Sequence, residues 1–231
     1  MTKRPVSVIP VAGLPEISEG DDLAGLLLEA LDDGGLIDHD IVVFTQKVVS
    51  KAEGRVVAAE EKAAAIETES RSILRRTAGG MVISETRHGF VCANAGVDSS
   101  NIDLDHIVLL PIDPDASARR IRARLQHLAG VDVGVVVSDT FGRAWRLGQT
   151  DVAIGLAGFE AFVDYRSTHD TQGRELFATR IAVADQIAGA AELVMGKADH
   201  TCAAIVRGAE VRFGRGAAVD LVRSPADDLF R

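Results

Sequence analysis

One run of β-branched residues constrains the fold of this chain more than any other feature. Residues 133–137 read Val-Gly-Val-Val-Val, without polar alternation, which is typical of a strand covered on both faces. The apolar run stops at Ser138, Asp139 and Thr140. A carboxylate and a hydroxyl are therefore predicted side by side where a buried strand emerges, a place where open sheets commonly bind ligands.

The segment after this strand has the composition of an anion and metal site. It contains Arg143, Arg146, two glycines and the single tryptophan of the chain, and it ends at Asp151. Asp and Thr oxygens are hard ligands for divalent cations, and Arg forms planar forks to phosphate or carboxylate. The alternative from the residues alone is a plain turn in which Asp139 or Thr140 caps a helix.

Two further polar clusters follow predicted strands. Lys47 and Lys51 stand four residues apart after an apolar run at 41–44, and Asp98 and Asn101 follow another predicted strand. Lysine binds phosphate as a point charge, and polar loops at strand ends are places where ligands collect. From spacing alone, two solvated lysines and a simple Asx turn explain the same residues.

Helices and strands alternate irregularly along the chain, and some strands are adjacent, which favours an α+β fold over a doubly wound sheet. Hydrophobic periodicity predicts strands at 6–11, 41–44, 56–57, 81–83, 89–95, 107–112, 133–137 and 203–206, and helices at 23–31, 59–76, 114–129 and 182–194. The stretch 152–165 fits short strands as well as a helix. Residues 165–174 form a long polar loop that could face a substrate.

Composition excludes several classes of function. The net charge is −9 with dispersed acidic residues, so no basic stripe is available to neutralise nucleic acid. The two cysteines and six histidines form no CxxC or HxxxH motif, which gives zinc sites no local support. No apolar run approaches the ~18 residues of a membrane span, and the first residues lack a signal-peptide pattern. We expect a cytoplasmic protein with neither nucleic-acid nor membrane partners.

Taken together, the motifs resemble those of the coenzyme F420-0:L-glutamate ligase family, also called F420 gamma-glutamyl ligase. The resemblance rests on VIPVAGLPEI near the start, TQKVVSKAEGR at 45–55, AGVDSSNID at 95–103, SDTFGRAWRLGQTD at 138–151, and LVMGKAD with AIVRG later. These ordered blocks cover nearly the whole chain. They imply an α+β fold of mixed sheets with helices, in a two-domain monomer. One ligase region would span residues 1–231 as two intertwined subdomains, with no reductase domain after it, and the protein would be a homodimer.

The resemblance also implies an activity. Members of the family use GTP to add one or more γ-linked L-glutamates to the deazaflavin precursor coenzyme F420-0, and phosphoryl transfer to an acyl phosphate is the simplest activation. The implied cations are Mg²⁺ or Mn²⁺, and K⁺. Asp98, Asp139 and Thr140 take the metal-ligand places. The places that bind GTP fall on Leu14, Pro15, Glu16, Ile17, Gln46, Lys47, Lys51, Asn101, Met195, Gly196, Lys197 and Ala198.

Two residues depart from the pattern of the family. Gln46 stands where relatives often have Ser, and Lys197 stands where archaeal relatives have Gln beside a second metal. A protonated lysine cannot ligate a metal, which sets this chain apart at the second metal site. Arg143 and Arg146 are candidates for holding the phosphate of the precursor or a carboxylate of glutamate, because they follow Asp139 closely in sequence.

Two other functions would use the same residues. A metal-dependent phosphohydrolase would use the Asp and Thr centre to activate water. A nucleotide-binding module without catalysis would bind GTP and form no product.

Overall fold

The computed structural model describes residues 5–31, 35–197 and 199–228. The strands are β1 (Ser7–Val11), β2 (Ile41–Thr45), β3 (Val56–Ala58), β4 (Ser70–Arg76), β5 (Val82–Thr86), β6 (Val91–Ala93), β7 (His106–Val108), β8 (Gly134–Arg143), β9 (Arg146–Ala157), β10 (Val163–Asp164), β11 (Thr168–His169), β12 (Glu175–Leu176), β13 (Arg180–Ile181) and β14 (Ala203–Arg207). The α-helices are α1 (Leu23–Ala30), α2 (Gln46–Ala52), α3 (Lys62–Glu69), α4 (Pro114–Ala129) and α5 (Val183–Met195). This mixture of helices and several sheets confirms the predicted α+β class.

A five-stranded mixed sheet organises these elements, in the order β1-β14-β2-β8-β9. β2 and β8 run parallel at its centre, and the other neighbours are antiparallel. Thr45 at the end of β2 lies opposite Ser138 of β8. The carboxyl end of β2 therefore places the start of α2 beside the polar residues that follow the buried part of β8.

Helices cover both faces of this sheet. On one face, α1, α2 and α4 share a core with Val135 and Val137. On the other face, α5 packs against a core that contains Val136. Each fully buried side chain of this size contributes about 1.5–3 kcal/mol. A shift of β8 by one residue would exchange its two faces, so the two cores together fix the register of the strand.

β8 and β9 form a long antiparallel hairpin that leaves the sheet. The first five residues of β8 are buried, the next three are half-buried, and Gly142 and Arg143 are exposed. The buried part ends at Ser138, as the sequence predicts, but the strand itself continues to Arg143. The alternative in which Asp139 or Thr140 caps a helix is therefore wrong, since both residues lie in a paired strand.

Carboxylates from two helices lie along the outer edge of β9. Glu192 and Asp185 of α5 accept hydrogen bonds from the backbone N–H groups of Asp151 (2.9 Å) and Ala153 (3.0 Å). Asp115 of α4 accepts a further bond from this strand at 2.8 Å. Because these N–H groups point away from β8, the helices satisfy donors that the sheet leaves unpaired.

A smaller sheet, in the order β4-β5-β6, contacts β8 through β6. The predicted helix over residues 59–76 is wrong at Ser70–Arg76, which forms β4. The Ser70 hydroxyl donates to the carbonyl of Ile66 where α3 ends, and β4 then pairs with β5. Alternating charges suit an exposed helix face and an exposed strand face equally, and pairing with β5 decides between them.

The stretch 152–165, which the sequence left open, begins as a strand, and the predicted polar loop at 165–174 contains a short one. β9 continues through residue 157, and Gly155 allows the close approach of α4, because a Cβ there would lie 2.3 Å from the carbonyl oxygen of Pro114. The polar stretch 165–174 contains β11, which pairs with β12. No helix within the described ranges is both long enough and apolar enough to cross a membrane.

Candidate functional site

Two lysines on α2 stand at the carboxyl end of β2. Lys47 lies 2.9 Å from a carboxylate oxygen of Asp98, and Lys51 forms an ion pair with Glu16. Their side chains are 16% and 12% exposed. They are therefore covered and ion-paired rather than solvated, and α2 aims both ammonium groups along one side because residues four apart are neighbours on a helix.

The loop that carries Asp98 begins with strained backbone. Asn94, Ala95 and Gly96 all have positive φ, at 51°, 54° and 74°, a region that costs a residue with a Cβ about 1–2 kcal/mol. Backbone bonds to Val108 in both directions, at 3.0 and 2.8 Å, then fix Asp98. Such strain persists only where the surroundings over-determine the conformation, and here it places one carboxylate.

The Asx turn that the sequence allowed is present at Asp98. The carboxylate accepts the backbone N–H of Ser100 at 2.7 Å and its hydroxyl at 3.0 Å. Burial alone would raise the pKa of Asp98, but the Ser100 N–H and the Lys47 ammonium outweigh it and hold the pKa below its ordinary value. Asp98 is thus kept ionised inside a cluster of donors.

Asp139 lies on the face of β8 that also carries Val137 and Phe141, since alternate strand residues share a face. Its pKa is raised to about 7, mainly by burial and also by the charges of Asp151 and Asp98, against the lowering effects of the Thr140 N–H and Lys197. Burial and the Asp139 charge also raise the pKa of the Cys92 thiol to about 12. The fold therefore brings Asp98 and Asp139 close enough to interact, although they are far apart in sequence.

Thr140 lies on the opposite face of β8, with Ser138. Both hydroxyls donate to the carboxylate of Asp151 across the hairpin, Thr140 at 2.6 Å and Ser138 at 2.8 Å. Thr140 and Asp151 are direct partners in the register, and the Asp151 N–H bonds Glu192 instead of β8. The pair is therefore of the type without mutual backbone bonds, in which the side chains approach most closely.

Lys197 reaches this face from the loop after α5. Its ammonium donates to the Thr140 hydroxyl oxygen and lies 3.4 Å from Asp151 and 3.5 Å from Glu192. Gly196 directs the chain into this position with φ 61° and ψ −167°, a conformation that is essentially restricted to glycine. The side-chain amide of Asn101 donates to the Lys197 carbonyl at 3.0 Å. The Asp98 loop and the loop after α5 thus meet.

Other predicted site residues lie at the margin of this cluster or away from it. Gln46 is buried, and its amide donates to Ser50 and to the Leu109 carbonyl. Leu14 and Ile17 belong to the core beneath α1, and Met195 belongs to the core beneath α5. Of the remaining predicted GTP-binding positions, Pro15 is exposed beside Glu16, and Ala198 lies outside the described residues.

Arg143 and Arg146 stand opposite each other at the tip of the β8–β9 hairpin. At about 3.3 Å per residue, Arg143 lies roughly 13 Å along the strand from Asp139. Its guanidinium donates to the Leu147 carbonyl at 2.5 Å. The structure therefore does not bring these two arginines into the carboxylate cluster of their own chain.

Sequence reasoning missed Asp151 and Glu192 as members of the site. Asp151 was visible only as the last residue of a motif. Glu192 and Asp185 stand seven apart in a helix of small apolar residues, so both lie on one face. The seven-residue spacing of these two acidic residues was the only sign in the sequence that one face of the helix is acidic. It could not show what they contact, because the partner of each carboxylate is a residue of β9 more than 30 positions away.

The oxygen donors of the cluster fit a divalent cation that a phosphate shares. Within the ranges that the structure covers, no three His, Cys, Asp or Glu side chains are grouped so that they alone could hold a metal ion. Mg²⁺ usually takes one or two carboxylates and completes its shell with water and substrate phosphate. Asp98 and Asp139 offer that kind of partial set, whereas the Thr140 hydroxyl lies on the opposite face of β8 and its oxygen accepts from the Lys197 ammonium.

Comparisons with known proteins point to the same family as the sequence motifs. A family model described as F420-0:Gamma-glutamyl ligase matches residues 13–68 and 59–208. The coenzyme F420:L-glutamate ligase of Methanothermobacter thermautotrophicus is 43% identical over 222 residues, with 87% of this chain and 88% of that protein covered. The enzymes of the same name from Methanopyrus kandleri and Methanocaldococcus jannaschii are 42% and 37% identical, with at least 96% of each chain covered.

Proposed function

The chain belongs to the F420-0:gamma-glutamyl ligase family, and on that premise we propose that it uses GTP to join L-glutamate to coenzyme F420-0. One or more glutamates would be added through γ-linkages. The observation that carries the proposal is the cluster between the carboxyl end of β2 and the middle of β8, where the ammonium groups of Lys47 and Lys197 meet carboxylates from three separate elements. Such a cluster balances charge around a polyphosphate.

The chemistry of amide formation explains why such a cluster is needed. A carboxylate has no good leaving group, so its oxygen first takes the γ-phosphoryl group of GTP, which gives an acyl phosphate and GDP. The amine of glutamate then attacks the acyl carbon, the amide bond forms, and inorganic phosphate and one proton leave. Phosphoryl transfer depends on positioning and charge neutralisation more than on covalent help from the protein.

Each side of the cluster has a role in this proposal. Lys47 and Lys51 would meet phosphate oxygens, since α2 presents both ammonium groups beside the sheet. Asp98 and Asp139 would hold a divalent cation, Mg²⁺ or Mn²⁺, which would neutralise phosphate charge. Thr140 stays a prediction as a metal ligand, because its oxygen accepts from the Lys197 ammonium. K⁺ stays a prediction for the same region.

The tip of the β8–β9 hairpin supports the proposed homodimer. Trp145 is 79% exposed and Leu147 is 97% exposed, and exposed apolar patches mark interaction surfaces. Arg143 and Arg146 lie beside them at the same tip, with Arg146 between the two. In a dimer they would lie in the interface, where they could hold a phosphate or carboxylate of the substrates as proposed from the sequence.

One experiment separates the ligase from the two other functions. Purified protein is incubated with coenzyme F420-0, L-glutamate, GTP and Mg²⁺ or Mn²⁺, and products are followed by mass spectrometry with single omissions. The ligase predicts a product heavier by one or more glutamate residues, with GDP formed in step. GTP consumption without glutamate and coenzyme F420-0 would indicate a phosphohydrolase, and saturable GTP binding without any product would indicate a binding module.

A further inference from the structure

The Lys197 ammonium lies where oxygen atoms from three elements meet. It donates to the Thr140 hydroxyl oxygen of β8, and it lies 3.4 Å from the Asp151 carboxylate of β9 and 3.5 Å from the Glu192 carboxylate of α5. An ammonium has three protons and no lone pair. The three oxygen partners therefore match the three protons that Lys197 can direct at them.

The oxygen partners are also fixed by bonds among themselves. Asp151 is buried, and its two carboxylate oxygens accept the hydroxyls of Thr140 and Ser138. One oxygen of Glu192 accepts the Asp151 N–H at 2.9 Å, while its other oxygen faces Lys197. Because the Thr140 proton is directed at Asp151, only the lone pairs of that hydroxyl remain for the ammonium. Thr140, Asp151 and Glu192 thus form a group of acceptors, which we call the Thr140 cluster.

The Thr140 cluster needs a positive charge, and Lys197 already provides one. Taking the cation away from a buried carboxylate leaves an uncompensated charge, which is strongly destabilising. Hydroxyl and carboxylate oxygens are also the ligands that hard metal cations take. A metal cation would have to occupy the point that the Lys197 ammonium fills. The cluster therefore does not fit a metal ion as long as Lys197 is present.

We infer that Lys197 is the built-in cation of the Thr140 cluster, so that this cluster binds no metal ion from solution. The inference rests on the proposed function for its place in the reaction, in which the ammonium would supply positive charge beside the phosphate groups of GTP. Because this charge is attached to the chain, it is present before any substrate binds. The requirement for a dissolved cation is then confined to the other face of β8, which carries Asp139.

Lys197→Ala tests this inference, because it removes the ammonium and keeps the three oxygen partners. The Lys197 side chain is 62% exposed, so the variant opens space at the surface and not in the core. The probe is ammonium chloride, since NH₄⁺ has N–H donors like those of the lysine head group. Tetramethylammonium chloride at equal concentration has the same charge and no N–H donor. Melting temperatures are measured by circular dichroism without nucleotide or divalent cation.

We expect Lys197→Ala to melt at a lower temperature than the unaltered protein. Relative to tetramethylammonium, NH₄⁺ should raise the melting temperature of this variant by about 2–4 °C once its concentration is several times the dissociation constant. Adding Glu192→Gln should remove most of that rise, because the cluster loses one negative charge.

Two control variants should show no rise with NH₄⁺. Lys197→Arg keeps a positive charge at the cluster, so NH₄⁺ has no place to fill. Lys62→Ala is the matched control, since it also removes an ammonium that donates to a hydroxyl, that of Ser99 at 3.3 Å, but one outside the cluster.

Three results would overturn the inference. These are an equal response of Lys197→Ala to both ions, a response of the unaltered protein to NH₄⁺ as large as that of Lys197→Ala, and a full response after Glu192→Gln is added. Failure of the proposed function is separate, because it would appear as missing ligase product from the unaltered protein while Lys197→Ala still responds to NH₄⁺. With an active ligase, NH₄⁺ should restore part of the turnover that Lys197→Ala loses, and turnover that stays low would rule out a role of this charge in the reaction.

Discussion

The side-chain amide of Asn101 donates a hydrogen bond to the backbone carbonyl of Lys197 at 3.0 Å, which joins two loops of the site across 96 positions of sequence. Asn101 has φ 50°, so Asn101→Gly removes the amide without straining the backbone. One hydrogen bond contributes about 0.5–1.5 kcal/mol. We expect the KM for GTP to rise about twofold to tenfold, as measured by initial rates.

Asn101→Ala serves as the comparison, because it removes the same amide and adds a strained positive φ. Its KM should rise at least as much, and its melting temperature should fall below that of Asn101→Gly. A KM for GTP that stays constant in both variants would show that this contact has no part in nucleotide binding.

The raised pKa of Asp139 predicts a pH dependence of cation binding. With a pKa of about 7 against an ordinary value of 3.8, Asp139 holds a proton at mildly acidic pH that a bound cation must displace. The affinity for Mn²⁺ should therefore rise up to about pH 7 and level off above it. Calorimetry in buffers of different ionisation enthalpy would detect the released proton, and equal heats at pH 6.5 in all buffers would contradict the assignment.

The same shift has a consequence for stability. The folded protein retains a proton that the unfolded chain releases between about pH 4 and 7, so the free energy of unfolding falls as the pH rises through that window. Asp139→Asn should remove this fall and stabilise the protein at pH 8 by up to about 4 kcal/mol, since the shift from 3.8 to about 7 spans about three pKa units of about 1.4 kcal/mol each. It should also abolish most ligase activity. Full turnover at low metal concentration would refute the ligand role.

Gly196→Ala should disturb the position of Lys197. A Cβ at this residue would lie 2.4 Å from a carboxylate oxygen of Asp199, and the backbone conformation disfavours any side chain. We expect a loss of about 1–3 kcal/mol in stability and a raised KM for GTP. Gly189→Ala in α5 is the control, because its Cβ would make an ordinary 3.4 Å contact and a helical Ala is favoured by up to about 1 kcal/mol. A normal KM in a folded Gly196→Ala protein would disprove the link.

Lys51→Ala should raise the KM for GTP by about tenfold or more, because a hydrogen bond to a charged group contributes about 1.5–3 kcal/mol. Lys51 is 12% exposed and forms an ion pair with Glu16, so its ammonium is held in a fixed position. Arg75→Ala removes an exposed positive charge on β4 and should leave the GTP titration unchanged. If both variants behaved alike, Lys51 would have only a general electrostatic effect.

The local features of the fold could be predicted from the sequence. α4 begins at Pro114 and ends before Gly130, whose φ is 70°, because Pro and Gly determine backbone conformation within a few residues. The buried part of β8 is equally local, since Gly134 and three valines form it up to Ser138. The continuation of β8 to Arg143 was missed because polar residues were taken to end the strand, whereas they are the ones that face the site.

The long-range features could not be predicted in this way. β4 forms because β5 is available to pair with it, and the contact between Lys47 and Asp98 spans 51 positions. The hydrogen bond from Thr140 to Asp151 depends on the register of the hairpin, which sets the two residues directly opposite each other. Periodicity in one segment contains no information about which residue of another segment will lie across from it.

The helix carboxylates along β9 also affect the tendency of the protein to aggregate at high concentration. An edge strand with free N–H groups recruits strands from other molecules and starts aggregation, but here Glu192, Asp185 and Asp115 already occupy those donors. At the opposite edge, β1 contains Pro10, which has no N–H to offer. The sheet is therefore closed to intermolecular growth at those positions, and its exposed hairpin can remain available for specific association.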